Sequence, residues 1–281
     1  MNRPKPSANK DNSVIWPELW SAFESHRHKI CQLLTNLSKG PDSRLCVLGS
    51  GRTTDLDLIE LLKYFSTIDL VDLDPNLTTE ALVQRGFDQH PAVKAHGGKD
   101  VTGLGKHWQA FRDSPNENGL IEIIESCTHI DIGMGEYDVV ASTCLLSQVL
   151  KNAAEYIESS GLSASISQTY FSEVIKAIRE QHLRLMLEHT VSGGSAVLIT
   201  DLTSAEALPE ILNSQIDLLD LISSSVIEGN HFPGLNPMLI AESLQSPPIA
   251  EKIAQVQLTS PWIWNSIESK YLCIGYRIQR K

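Results

Sequence analysis

The segment Arg44–Pro75, RLCVLGSGRTTDLDLIELLKYFSTIDLVDLDP, decides the fold that this sequence predicts. It begins with the short apolar run RLCVL, which is typical of a strand buried on both faces of a sheet. A glycine turn, Gly49-Ser50-Gly51, follows where the chain must enter a helix, and a second apolar run ends at Asp72. The segment therefore predicts a strand, a tight turn, a helix and a second strand.

The glycine turn and Asp72 together predict a site for a nucleotide-like cofactor. Glycine lets a ligand approach the backbone closely, and the free N–H groups that begin the next helix attract negative charge. A carboxylate at the tip of the neighbouring strand is well placed to bind ribose hydroxyls. Gly49 and Gly51 alone could equally form an ordinary strand-to-helix turn, so the cofactor prediction depends on the rest of the chain.

Composition and charge narrow the classes of function. The chain has 281 residues, of which 42% are hydrophobic and 20% charged, as in ordinary soluble globular proteins. Its net charge of −11 and the lack of a Lys/Arg run disfavour a nucleic-acid partner. Five scattered cysteines without CxxC spacing indicate neither a disulfide framework nor a zinc site. We recognise no signal peptide and no apolar run of membrane-spanning length, so we expect a cytoplasmic protein without membrane association.

The chain divides into three predicted regions. Residues 1–13 are polar, contain two prolines and predict a flexible arm. Helical periodicity over residues 14–40 predicts an N-terminal helical cap, which either packs on the sheet or covers the site as a lid. Residues 41–281 predict one domain with insertions near 103–135 and 228–248.

Alternating strand and helix patterns predict a doubly wound, mostly parallel sheet. The insertion near 103–135 holds one possible helix and a loop at Ser114–Gly119. Thr203 and Glu206 form a capping box that predicts a helix running to about Ile227. Two terminal apolar runs, Ile253–Trp264 and Tyr271–Ile278, predict a pair of strands.

Two cofactor classes share the glycine turn followed by an acidic residue. A dinucleotide-binding Rossmann domain would place a third glycine at position 54, which is Thr54 in this chain. The spacing from Gly51 to Asp72 suits either class. The order of all elements is therefore needed to choose between them.

From Arg44 to about Arg280, that order resembles class I S-adenosylmethionine (SAM)-dependent methyltransferases. The resemblance implies an α/β fold with a doubly wound, seven-stranded, mostly parallel sheet and an antiparallel terminal strand. Asp72 matches the family's acidic residue after strand two, and Asp100 its aspartate after strand three, which faces the adenine. Asp138 begins strand four, as in the family. Thr53 stands where the family has its third glycine, which tightens the loop but leaves its backbone donors.

The resemblance implies SAM as the cofactor and a set of residues that bind it. These cofactor-binding residues are Gly49, Ser50, Gly51, Asp72, Leu73, Asp100, Val101, Ser142 and Thr143. Asp74 is better explained as a helix cap, while Asp55 and Asp57 either cap a helix or face the cofactor.

The acceptor is predicted to be a small molecule that approaches over the carboxyl ends of strands four and five. His231, in an irregular loop, and Asp201, after strand five, are the candidate catalytic bases. The chemistry requires no metal. Three alternatives stay open: a protein that binds SAM without methyl transfer, an aminopropyl-type transferase and an NAD(P)-dependent oxidoreductase. We expect a monomer or a homodimer.

Overall fold

The computed structural model describes residues 12–128, 130–213, 215–267 and 269–281, with side chains from residue 17 onward within these ranges. The predicted arm at residues 1–13 lies outside this part, apart from its last two residues. The described strands are β1 (Arg44–Leu48), β2 (Thr67–Val71), β3 (Val93–His96), β4 (Tyr137–Thr143), β5 (Thr190–Ser204), β6 (Ile253–Leu258), β7 (Trp262–Asn265) and β8 (Lys270–Arg280).

Ten helices are described between and before these strands. They are α1 (Asn12–Ala22), α2 (Glu24–Thr35), α3 (Leu58–Leu61), α4 (Leu77–Gln84), α5 (Gly105–Asp113), α6 (Glu117–Ser126), α7 (Leu145–Glu158), α8 (Ala164–Glu188), α9 (Leu218–Glu228) and α10 (Pro237–Gln245). None of these described helices combines the length and the apolar character needed to cross a membrane.

The sheet has the order β3-β2-β1-β4-β5-β8-β6, and β7 also pairs with β8. Strands β1 to β5 are parallel, whereas β8 runs antiparallel to β5, β6 and β7. The predicted doubly wound, mostly parallel sheet with an antiparallel terminal strand is confirmed. The predicted number of seven strands is wrong, because the described residues form eight. The run Ile253–Trp264 divides into two strands around Pro261, which cannot donate a ladder hydrogen bond.

Each face of the sheet is covered by helices. In β1, Cys46 and Leu48 contact one apolar core, and Leu45 and Val47 contact the other, as the period of a strand requires. Helix α2, from the predicted N-terminal cap, packs into the second core through the fully buried Ile30. The cap thus forms part of a layer on the sheet, and its position at the carboxyl ends of the strands brings it to the site.

Two local predictions are wrong. The segment predicted as a loop at Ser114–Gly119 contains the start of α6, because the Asn116 side chain accepts a hydrogen bond from Gly119 N at 2.9 Å and caps the helix. The Thr203/Glu206 capping box begins no helix, since Thr203 is fully buried in β5 opposite Leu272. Helix α9 begins only at Leu218 and is capped by Asp217.

Candidate functional site

The glycine turn after β1 has a backbone that few other residues could adopt. Gly49 and Gly51 have positive φ angles of +70° and +50°, which place them in the left-handed region. A Cβ atom added to Gly49 would lie only 2.8 Å from Cβ of Leu145, the first residue of α7. The buried Ser50 side chain contacts the Thr78 hydroxyl of α4 at 2.9 Å. The turn is therefore fixed between β1, α4 and the start of α7.

Two arginines fasten the end of this turn to the N-terminal helices. Arg27 of α2 donates to the Thr54 carbonyl at 2.9 Å, and Arg85 donates to the Thr53 carbonyl and hydroxyl at 3.1 and 2.8 Å. Both guanidinium groups stack on the Trp20 ring, 3.5 and 4.5 Å from its centroid. Thr53 itself has a φ of +55°, which is rare for a residue with a Cβ atom, so the Arg85 contacts help to hold this conformation.

Asp72 lies directly beside the glycine turn. Its carboxylate accepts hydrogen bonds from Gly51 N at 2.7 Å and from Asp74 N at 2.9 Å. The neighbouring Leu73 is 66% exposed and leaves an apolar surface next to this carboxylate. The Asp74 carboxylate instead accepts from Asn76 N and Leu77 N, so it stabilises the turn that leads into α4, whose N-cap residue is Asn76 and not Asp74.

The residues after β3 form a tight turn. The Asp100 carboxylate accepts hydrogen bonds from the backbone and hydroxyl of Thr102 at 2.9 and 2.6 Å and from Gly105 N at 2.9 Å. It therefore shapes the entry into α5, and the adjacent Val101 is buried. Their predicted contact with an adenine stays a prediction. At the opposite end of the sheet, Asp138 accepts from Arg44 N at 2.9 Å, which is a structural role.

The end of β4 brings two predicted site residues to the glycine turn. The buried Ser142 hydroxyl contacts His182 Nε2 of α8 at 2.8 Å. Burial lowers the pKa of His182 to about 4, so this imidazole is neutral at physiological pH. Thr143 lies on the other face of the sheet, beside the Asp55 carboxyl.

The partly buried Asp55 and the buried Asp201 are the main electrostatic feature of the site. Burial raises the pKa of each carboxyl group to about 6, although the hydrogen bond from Ser147 to Asp201 partly opposes the shift of Asp201. Neither forms an ion pair within the part of the chain that the structure describes. Arg27 and Arg85 act on Asp55, and Lys151 acts on Asp201, without forming an ion pair. Because a buried carboxylate without a directly paired cation is costly, these two side chains suit a ligand that carries positive charge.

A row of buried polar groups joins α2 to Asp201. Trp262 Nε1 donates to His26 Nδ1 at 3.0 Å, and His26 Nε2 lies 4.0 Å from Cys144 Sγ. The Cys144 thiol in turn lies against Asp201 and Cys273. Burial lowers the pKa of His26 to about 3, so His26 is a neutral donor that helps to orient this row rather than a base.

His26, Cys144, Ser147 and Trp262 were not identified from the sequence as site residues. The row depends on contacts between residues 118 and 236 positions apart, for which no local spacing gives a signal.

His231, the other candidate base, lies in a loop that docks near the end of β5. Phe232 N donates to the Leu202 carbonyl at 2.8 Å, next to Asp201 in the chain. Both ring nitrogens of His231 have local partners, since Nδ1 contacts the Phe232 carbonyl at 3.2 Å and Nε2 contacts Asn236 at 3.3 Å. The structure thus brings both candidate bases to one end of the sheet, and burial raises the pKa of Asp201 to about 6.

Four half-buried aromatic residues continue from Asp201 and are called here the aromatic wall. The wall comprises Phe23, Trp264, Tyr271 and Phe232, with successive ring centroids 4.9, 5.0 and 6.3 Å apart. In the sheet, Asp201 lies opposite Cys273 and Cys273 opposite Trp262, so the three side chains share one face. Tyr271 is two residues before Cys273 in β8, and Trp264 is two residues after Trp262 in β7, so both side chains lie on this face too.

The three-dimensional structure was compared with solved structures. It is similar to the YcgJ protein from Bacillus subtilis (9% identity, TM-score 0.47, covering 90% of this chain and 99% of that one). It is also similar to the N-methyltransferase NodS from Bradyrhizobium japonicum (12% identity, TM-score 0.45, covering 92% of this chain and 96% of that one). A third similar structure is magnesium protoporphyrin IX methyltransferase from Synechocystis with bound S-adenosylhomocysteine (SAH). It has 11% identity and a TM-score of 0.46, and the match covers 99% of this chain and 90% of that one.

Several of the similar structures are thus methyltransferases, the class that the sequence resembles. At these identities and TM-scores, the likeness carries no argument about activity or substrate. No protein-family model and no curated protein matched the sequence.

Proposed function

We propose that this protein is a SAM-dependent methyltransferase that acts on a small-molecule acceptor. The observation that supports this most is a pair of carboxyl groups without a described ion-pair partner, Asp55 after the glycine turn and Asp201 on β5. SAM carries an ammonium and a sulfonium group, and the charge of its ammonium group fits Asp55. When bound, it supplies a methyl group on a sulfur that leaves readily.

Each side chain of the site then has a distinct task. The glycine turn allows close approach of the cofactor to the backbone, and Asp72 binds the ribose hydroxyls. Asp55, which follows the turn directly, pairs with the ammonium group. Helices α1 and α2, fastened by Arg27 and Arg85, exclude water from this end of the sheet, which strengthens the electrostatic contacts inside it.

The same charges disfavour a nicotinamide dinucleotide. Its pyrophosphate would need free N–H groups at the helix that follows the turn. Here the Asp57 carboxylate already caps α3 by accepting from Glu60 N at 3.2 Å, and Asp55 lies two residues earlier. Two carboxylates at this position would repel a pyrophosphate.

A first prediction concerns Asp72. Replacing Asp72 with alanine should weaken SAH binding by about 10- to 100-fold, because hydrogen bonds to a charged group contribute about 1.5–3 kcal/mol. Isothermal titration calorimetry with SAH measures this change. Asp74→Ala is the matched control: it removes a carboxylate two positions away that only stabilises the turn into α4, so it should cost about 1 kcal/mol of stability and leave SAH affinity intact.

A folded Asp72→Ala protein with unchanged SAH affinity would contradict this role for Asp72. Thermal stabilisation of the wild-type protein by NADH and not by SAH would contradict the proposed cofactor.

Methyl transfer itself is tested by incubating the protein with methyl-labelled SAM and a fractionated extract of small metabolites. We expect label in one fraction together with an equal amount of SAH. Formation of methylthioadenosine would instead identify an aminopropyl-type transferase. SAH binding without any label transfer would indicate a protein that binds the cofactor only.

A further inference from the structure

We propose that the methyl acceptor is an amine attached to an apolar, planar body, that Asp201 receives its ammonium group, and that the aromatic wall holds the body. This inference rests on the proposed function and names the substrate class of the same site. It follows from the position of Asp201, from the charge that this position requires and from the aromatic residues beside it.

The two enclosed carboxylates belong to different halves of the site. Asp55 follows the glycine turn after β1, whereas Asp201 lies on β5, and β4 separates the two strands. Cys144 directly follows β4, and the charges of both carboxylates act on its thiol. Asp55 is therefore on the cofactor side, which leaves Asp201 facing the space over the ends of β4 and β5, where an acceptor would enter.

The charge of Asp201 selects among possible acceptors. Ser147 supplies it with a neutral hydrogen bond, and Lys151, whose charge acts on it, is on the exposed surface of α7. A carboxylic acid would be repelled, and an alcohol would leave the negative charge without a partner. A protonated amine satisfies both the charge and the hydrogen-bonding capacity of the carboxylate.

The aromatic wall favours the same ligand. Its rings come from three separate segments: the junction between α1 and α2, the β7–β8 pair and the loop that carries Phe232. Aromatic faces attract cations and pack well on planar apolar groups. Trp264 Nε1 is buried and has no hydrogen-bond partner among the described residues, so the wall also offers a donor.

Asp201 also completes the chemistry of an amine acceptor. The ammonium group gives one proton to the Asp201 carboxylate, and the freed nitrogen lone pair forms the new N–CH₃ bond. The bond between sulfur and the methyl carbon breaks, and sulfur keeps its electron pair as a neutral thioether. Asp201 ends protonated and the methylated amine carries the positive charge, so atoms and charge balance.

The test is calorimetric titration of the SAH-loaded, full-length protein with two probes of equal shape, 2-phenylethylamine and 2-phenylethanol. We expect the amine to bind at least about tenfold more tightly than the alcohol, a difference of about 1.4 kcal/mol. Asp201→Asn should abolish this difference while keeping SAH affinity, which also shows that the variant is folded. Asp74→Asn, an amide substitution at an exposed carboxylate, should keep the difference.

A second variant, Trp264→Leu, should weaken the amine and the alcohol to a similar extent, because it removes part of the wall and no charge. The inference fails if the alcohol binds as tightly as the amine, if Asp201→Asn keeps the preference, or if neither 2-phenylethylamine, benzylamine nor tryptamine binds the SAH-loaded protein. In each of these cases SAH still binds and the proposed cofactor stands. Failure of SAH itself to bind would instead overturn the proposed function.

Discussion

Replacing Asp201 with asparagine should stabilise the ligand-free protein at about pH 8. Burial raises the pKa of this carboxyl from its ordinary value of 3.8 to about 6, so the charged carboxylate lowers the stability of the folded chain at neutral pH. A shift of about two units corresponds to about 3 kcal/mol, and relaxation around the charge reduces this value. We therefore expect Asp201→Asn to raise the free energy of unfolding by about 1–3 kcal/mol, measured by urea denaturation.

The gain from Asp201→Asn should depend on pH in one direction. Because the folded pKa is raised, protonation of Asp201 stabilises the fold fully below pH 3.8, and this contribution is lost as pH rises through about 6. The free energy of unfolding of the wild type should therefore equal that of the variant at about pH 4 and be lower than that of the variant above about pH 6.

Two other buried groups make paired measurements at each pH necessary. The lowered pKa values of His26 and His182, about 3 and about 4, give stability that is present above pH 6.5 and lost as pH falls through those values. These histidines affect both proteins equally, so the comparison isolates Asp201. Asp74→Asn, at an exposed carboxylate, should show no gain at about pH 8. Equal stability of wild type and Asp201→Asn at that pH would contradict the burial of a charge at this position.

A carboxylate that lowers the stability of the empty protein is consistent with a ligand-binding role. Ser147 donates a hydrogen bond to Asp201 but leaves its charge without a described ion-pair partner. Sites of this kind commonly trade stability for function. An ion pair between Asp201 and an ammonium group of a ligand would offset the free-energy cost of burying the Asp201 carboxylate.

The fold could be predicted from the sequence where the signal is local. The run Arg44–Leu48, the glycine turn and the run ending at Asp72 are contiguous, and their periodicity indicates a strand, a turn and a second strand in the observed order. The antiparallel terminal strands were predictable for the same reason. A local pattern gave a wrong prediction where strand pairing determined the structure. Thr203 has the sequence pattern of a helix cap, but it lies in β5 opposite Leu272.

The candidate site was predictable only in part. Gly49, Gly51 and Asp72 lie in one short segment, and the structure brings them together through the Gly51–Asp72 hydrogen bond. His26 could not be found in this way, because its contact with Trp262 joins the two ends of the chain. The sequence also left Asp55 open between a cap and a ligand-facing residue, since only the folded environment determines its acidity.

The largest loss of cofactor binding is expected from Gly49→Ala. The added methyl group would lie 2.8 Å from Leu145 Cβ, which is rigidly attached to the backbone of α7, and alanine would also be strained at a φ of +70°. Overpacking and left-handed strain together cost about 2–4 kcal/mol of stability. The turn must then move away from α7, which disturbs the Gly51–Asp72 hydrogen bond, and SAH affinity should fall by about 100-fold, or about 2.7 kcal/mol.

Gly161→Ala separates strain from crowding in this prediction. Gly161, between α7 and α8, has a similar φ of +75°, but an added Cβ would meet no atom within 4 Å. Its replacement should cost about 1–2 kcal/mol in urea denaturation and leave SAH affinity unchanged, because strain acts there without displacing the glycine turn. If both variants lose the same stability and both retain SAH binding in calorimetry, then the close contact between Gly49 and α7 does not shape the cofactor site. A selective loss in Gly49→Ala would show that the turn must lie against α7 for the cofactor to bind.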